Sequence, residues 1–192
     1  MTRVTLAIAA SFLASSAFTG AFAATPVQVG HFDQIELRGG GHVTVKHGAA
    51  QSVSLIKGSA DITKFRIKDG NKLVIDVCED NCPAGRYDLD VEIVTPDLTG
   101  AAIDGGGHIV AETGFPARDR FAAAIDGGGD IDAAAISAAT VTAAIDGGGK
   151  IHVSATKHLQ AAIDGGGHIS YRGDPQVSEA IDGGGSVERE GK

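Results

Sequence analysis

Five aspartates, Asp104, Asp126, Asp146, Asp164 and Asp182, each stand in a copy of Ala-Ile-Asp-Gly-Gly-Gly, at 102–107, 124–129, 144–149, 162–167 and 180–185. Carboxylates gathered in one place offer three kinds of chemistry. They can supply the six to eight oxygen ligands that Ca²⁺ prefers. Two of them about 5 Å apart can act as acid and nucleophile on a glycosidic bond. Failing both, an Asp before a Gly-rich corner is a turn residue, its side chain accepting from the amide N–H groups that follow. The order of residues argues against a calcium β-roll, which places Asp after its glycines. Identical rungs also argue against catalysis, because acid and base roles need unlike environments and no pair among the five is singled out. The five aspartates are therefore candidate binding residues, and no catalytic or metal-ligating residue is assigned.

The elements that must position them follow from the spacing. From one Asp to the next the steps are 22, 20, 18 and 18 residues, a period that belongs to stacked coils. Alternation places Ile103, Ile125, Ile145, Ile163 and Ile181 on one face of a strand with Ala101, Ala123, Ala143 and Ala161, and further back with Phe121, Val141, Leu159 and Val177. After the glycines a second strand begins, with Ile109, Ile131, Ile151, Ile169 and Val187 inward. The expected fold is all-β, a single-stranded parallel β-helix-like solenoid with Gly-rich corners. Residues 99–192 form its five regular coils and residues 24–98 its less regular N-terminal coils, in one domain from 24 to 192. Within the first part, Arg38-Gly39-Gly40-Gly41-His42-Val43 reads as a degenerate first copy with Arg38 in place of Asp, and Lys68-Asp69-Gly70-Asn71-Lys72 as a hairpin turn. Glu179 breaks the inward Ala column in the last coil, marking an end that is open or capped.

In such a stack the five carboxylates form a column about 4.8 Å from rung to rung. Neighbours at that spacing in water repel by about 0.9 kcal/mol, and salt screens the longer-range terms over about 8 Å, so the column must stay wet. Two residues back on the same outward face are Ala102, Ala124, Ala144, Ala162 and Ala180, and behind them Gly100, Ala122, Thr142, Gln160 and Ser178. That side is flat and small-chained, suited to another protein or a glycan, although it lacks the aromatics that glycan sites favour. Beyond the glycines the outward positions bring Asp130 beside Lys150 and Asp132 beside His152, expected cross-rung pairs. Asp130, Asp132, His152 and His168 are too spread along the rungs to converge on a transition metal.

Residues 1–23 join Arg3 to an apolar run through Leu6, Ile8, Phe12, Leu13 and Phe18 and end in Ala21-Phe22-Ala23, the pattern of a signal peptide cut after Ala23. The protein is thus expected to be exported, to the periplasm or the cell surface, and no later stretch is apolar enough for membrane insertion. Loss of Arg3 moves the net charge from −8 to −9, which with no basic run disfavours nucleic acid. In an oxidising compartment Cys78 and Cys82 read as a small disulfide loop. With 28 Gly and no Trp, the interior must be filled by Ile, Val, Leu and Ala.

The opening Phe32-Asp33-Gln34-Ile35, the step Pro96-Asp97-Leu98, the Gly-rich turn of every coil and Tyr171-Arg172-Gly173-Asp174-Pro175 resemble the GIN-domain family of bacterial exported proteins, auto-transporter adhesin heads. That family usually has Ser-Gly-Ser-Gly turns, with Ser where the five aspartates stand here. The resemblance implies a β-helical fold and an envelope location, with no catalytic residues to carry over. The expected function is a non-enzymatic structural or binding module of the cell envelope, adhesin-like, with an envelope protein or glycan as partner and no required cofactor. The alternatives are a calcium-binding solenoid and a polysaccharide-active enzyme using the face carboxylates.

Overall fold

The computed structural model describes residues 24–78 and 88–191. The expected leader, residues 1–23, lies outside the described residues, as does Cys82; its expected partner Cys78 follows the strand ending at Val77 with left-handed backbone, φ 65°. The described residues are all-β, with no helix among them. The strands are β1 Thr25–Val27, β2 Gln34–Gly39, β3 His42–His47, β4 Ser52–Lys57, β5 Thr63–Lys68, β6 Lys72–Val77, β7 Asp90–Thr95 and β8 Gly100–Gly105. They continue with β9 His108–Ala111, β10 Arg118–Gly127, β11 Asp130–Gly147, β12 Lys150–Gly165, β13 His168–Arg172, β14 Gln176–Gly183 and β15 Ser186–Arg189.

Each Gly-rich corner joins two short strand segments, and every segment pairs in parallel with its counterpart one period away. Before the corner the ladder runs β8, β10, the second half of β11, the second half of β12, then β14. Its register aligns Asp104 with Asp126, Asp146, Asp164 and Asp182 in turn. After the corner it runs β9, β11, β12, β13, β15, aligning Ile109, Ile131, Ile151, Ile169 and Val187. The inward faces meet in a continuous apolar cluster in which Ile103, Ile125, Ile145, Ile163 and the alanines two before them are buried. In the last coil the cover ends, and Val177 and Ile181 are exposed beside Glu179.

The N-terminal part departs from a simple continuation. The degenerate copy stacks on the regular coils as expected, with Arg38 opposite Asp104 and His42 opposite His108. The following pair, β6 and β7, lies beyond it, so β2 sits between β6 and β8 and β3 between β7 and β9. Space and sequence therefore disagree on the order of these two coils. The arrangement puts Arg38 between Asp76 and Asp104, where sequence order would set two carboxylates side by side. The outermost strands reverse direction: β5 pairs antiparallel with β6, β4 with β7 and β1 with β4. The β5–β6 connection carries the expected Asp-Gly turn, with φ 54° at Asp69 and 84° at Gly70.

The corner itself is set by close backbone approach. The first Gly of each corner has positive φ, 119° at Gly147, and a Cβ there would lie 2.4 Å from the Gly127 carbonyl oxygen one rung below. The second Gly donates its N–H to that same carbonyl, as in Gly148 to Gly127 at 2.9 Å. The middle Gly148 has nothing within 4 Å of its Cβ position. Replacing Gly147 by Ala should therefore cost at least about 2 kcal/mol, whereas Gly148→Ala should be neutral or up to about 1 kcal/mol more stable. Urea denaturation of the two variants measures this; equal midpoints would contradict the corner geometry.

Candidate functional site

The five aspartates line one edge of a shallow trough of about 620 Å³ that runs along the stack. Its floor is the outward alanine of each rung, Ala102, Ala124, Ala144, Ala162 and Ala180, which share register. Glu36, in register with Ala102, closes the N-terminal end. Six rungs at a strand spacing of about 4.8 Å give a trough about 24 Å long.

One expected feature of the aspartates is corrected. Their carboxylates do not cap the glycines that follow. In the four corners after the first, the amide after the positive-φ glycine donates instead to the preceding rung, Gly128 to Gly105, Gly148 to Gly127, Gly166 to Gly147 and Gly184 to Gly165, at 2.8–2.9 Å. Those four donors are consumed by the ladder, and all five carboxylates stand exposed in solvent, a file of like charges kept apart by water and rung spacing.

Charge is balanced only at the N-terminal end of the file. There Arg38 bonds Glu36 and lies 3.9 Å from Asp76, Lys72 lies 3.2 Å from Glu36, and Arg66 pairs with Asp76. Burial pushes the Glu36 carboxyl up, but hydrogen bonds from Arg38 and Lys72 outweigh it and hold the group below the usual carboxylate range. The hydrogen bond to Glu36 holds Arg38 above its usual value against burial, with Asp76 and Asp104 adding to the effect. This cluster anchors the first rungs and ends the anionic edge.

Around the corner, Asp130 and Lys150 are register partners, as are Asp132 and His152, but the expected ion pairs do not form. Asp132 Oδ1 accepts from the Ala134 N–H at 3.1 Å. His152 Nδ1 lies 2.8 Å from both Ser170 Oγ and Glu190 Oε1, and Arg172 Nε donates to Glu190 Oε2 at 2.6 Å. The outward parity of Ser186 and Glu188, carried two residues further, places Glu190 beside Arg172. The trio of Ser170, His152 and Glu190 has the residue types of a nucleophile relay and the wrong wiring. A relay uses both ring nitrogens, one for the hydroxyl and one for the acid, whereas here both contact Nδ1 and Ser170 is buried. Nor do His, Cys, Asp or Glu converge in threes as a metal-ligand set among the described residues.

The fold and this face define an all-β repeat protein with register-aligned rungs and an extended, small-chained surface. The family model described as "Putative auto-transporter adhesin, head GIN domain" matches residues 31–119 and 117–175, and the chain belongs to that family. Among solved structures it is similar to a putative adhesin from Bacteroides fragilis, at 19% identity and TM-score 0.54 over 88% of this chain and 96% of that one. It is also similar to a putative adhesin from Parabacteroides merdae, at 14% identity and TM-score 0.42 over 90% and 98%. A putative lipid binding protein from Parabacteroides distasonis gives 18% identity and TM-score 0.40 over 90% and 98%. Comparison with curated proteins gives no match.

The hydrogen bond from His152, and then that from Arg172, hold the Glu190 carboxyl below its usual range, with burial opposing them. A carboxylate with a lowered folded-state pKa stabilises the folded protein above its unfolded value, about 4.5 for Glu, and loses that contribution as pH falls through the folded value. The last coil should therefore loosen in acid as pH falls below about 4.5. Hydrogen exchange of β15 against pH should show this, and Glu190→Gln should remove the pH dependence; protection that is flat in the native protein down to pH 3 (about one and a half units below the usual Glu value) would disprove it.

Proposed function

We propose that this protein is a non-enzymatic, exported binding module of the cell envelope, a parallel β-solenoid whose aspartate-edged trough seats an extended partner. The observation that carries this reading is the register itself, which repeats one Ala and one Asp on each of five successive rungs. A surface with a period of one strand spacing complements an object that is itself extended and regular, such as an envelope glycan or a strand-like segment of an envelope protein. A catalytic centre needs unlike groups converging on one point, and the trough offers like groups in a file. Family membership supports the adhesin-like sense of this reading, and export accords with the leader expected at residues 1–23.

The trough gives the partner two kinds of contact. The alanine floor allows close approach of a flat chain without side-chain entropy to lose. The carboxylate edge accepts hydrogen bonds from hydroxyls, amides or cationic groups along the partner, and these charge-assisted bonds are the stronger ones.

Two variants test the reading in a sedimentation assay with isolated envelope fractions. Asp126→Asn, Asp146→Asn and Asp164→Asn combined should lower affinity at least about tenfold, equivalent to about 1.4 kcal/mol. Relief of repulsion should leave its thermal midpoint unchanged or higher, so the loss is not one of folding. Ala144→Arg should block the floor and weaken binding as much. Binding unaffected by both changes would refute the trough as the seat.

Single-file carboxylates, one per rung, do not surround an ion. Calcium should therefore act only as a loosely held counterion. Unfolding in calcium and in chelator should differ by no more than about 0.4 kcal/mol, the effect of a ligand held no more tightly than its own concentration.

A further inference from the structure

Across the glycine corners from the aspartates, the first outward residue of each following strand forms a second file. Because β3 lies between β7 and β9, that file reads Asp90, His42, His108, Asp130 and then Lys150. Coils stacked in chain order would put Asp90 between the two histidines; the exchanged order of the N-terminal coils makes them neighbours. Nowhere else in the described ladders are two histidines register partners.

Both side chains are exposed, and their ring centroids lie 6.2 Å apart with the planes at 44°. Neither imidazole, nor the side chain of Asp90 or Asp130, has a hydrogen bond or ion pair among the described residues. Other histidines of the stack are engaged. His168 Nδ1 lies 2.7 Å from Ser186 Oγ, His152 meets Ser170 and Glu190, and His47 sits edge-on to Phe115. Along the file the first cation is Lys150, beyond Asp130.

We propose that His42 and His108 form a two-imidazole site for a divalent transition cation of the zinc class, with Asp90 and Asp130 holding the metal-bound waters. Imidazole nitrogen suits zinc, copper and nickel, whereas magnesium and calcium take oxygen ligands. A tetrahedral ion about 2 Å from one nitrogen of each ring sets the two centroids roughly 5 Å apart. The rings must close by about 1 Å to reach that geometry, which exposed side chains achieve by turning about χ1 and χ2 with the backbone fixed. The protein supplies two ligands and water the rest. The carboxylates, one rung to either side, accept from those waters, as outer-shell acids do at zinc sites. Their combined charge equals that of one divalent cation, and the imidazoles between them bind it in their neutral form. The site is separate from the aspartate trough and does not rest on the binding role proposed for it.

The test is titration of the purified protein, free of reductant, with zinc chloride in a non-coordinating buffer, followed by the histidine ring signals in NMR and by competition with a chromophoric chelator. One saturable equivalent is expected, moving the His42 and His108 rings together. His42→Gln and His108→Gln should each weaken binding at least about tenfold, no less than the loss of an outer-shell partner costs. Both positions are exposed, so the thermal midpoint without metal should stay native. Asp90→Asn combined with Asp130→Asn should weaken binding about tenfold. Magnesium at the same concentration should move neither ring, and the triple Asp126→Asn, Asp146→Asn, Asp164→Asn variant should bind zinc as the native protein does. The proposal fails if no saturable equivalent binds, or if the rings answer magnesium as they answer zinc. It also fails if both glutamine variants keep native affinity, or if the triple variant loses it, since zinc would then sit elsewhere on the stack.

Discussion

The close approach of one glycine corner to the next governs this molecule. The carbonyl oxygen of Gly127 lies 2.4 Å from where a Cβ of Gly147 would be, and the same carbonyl accepts the Gly148 N–H. Only glycine fits a backbone with φ 119° and that separation. The contact locks neighbouring rungs in register, because a slip of one residue would put a side chain into a carbonyl and turn every inward isoleucine outward. Once register is fixed, every column in the structure follows, both the buried isoleucines and the exposed aspartates.

The same contact decides the state of the carboxylates. An isolated Asp-Gly-Gly-Gly segment would fold its side chain back on the following amides. In the stack the amides of the last four corners belong to the ladder, and the aspartates face water with no hydrogen-bond donor to them among the described residues. A partner seated as proposed would meet a file of free acceptors beside a flat floor. The cost is mutual repulsion along the file, moderated at the first rungs where Arg38 stands between Asp76 and Asp104.

The two ends of the stack are finished differently. At the N-terminal end the strands turn antiparallel, covering the last parallel rungs with β4 and β5. At the other end β14 and β15 each have one partner strand, and Val177 and Ile181 are exposed around Glu179. A charge on the inward face of an edge strand is a known protection against edge-to-edge association. Glu190 secures the coil in another way, joining His152 and Arg172 across the rungs through its two oxygens.

Periodicity and parity alone determined the coil length, the inward isoleucine and alanine columns and the aspartate column, because a strand's alternation and a fixed repeat leave one consistent stacking of identical segments. The place of the degenerate copy beside Asp104 was legible too, through its three glycines. Other features were decided by the tertiary structure. Asp76 joins the aspartate file from a strand with no glycine corner after it, and nothing local announces that β6 lies outside β2. The glycine amides find acceptors a full coil away, which cancels the local turn. His152 meets Glu190 rather than Asp132, and Arg118 is buried with an incomplete set of partners. In each case the deciding neighbour is far along the chain, and a sequence specifies local geometry directly but distant partners only through the packing of the whole.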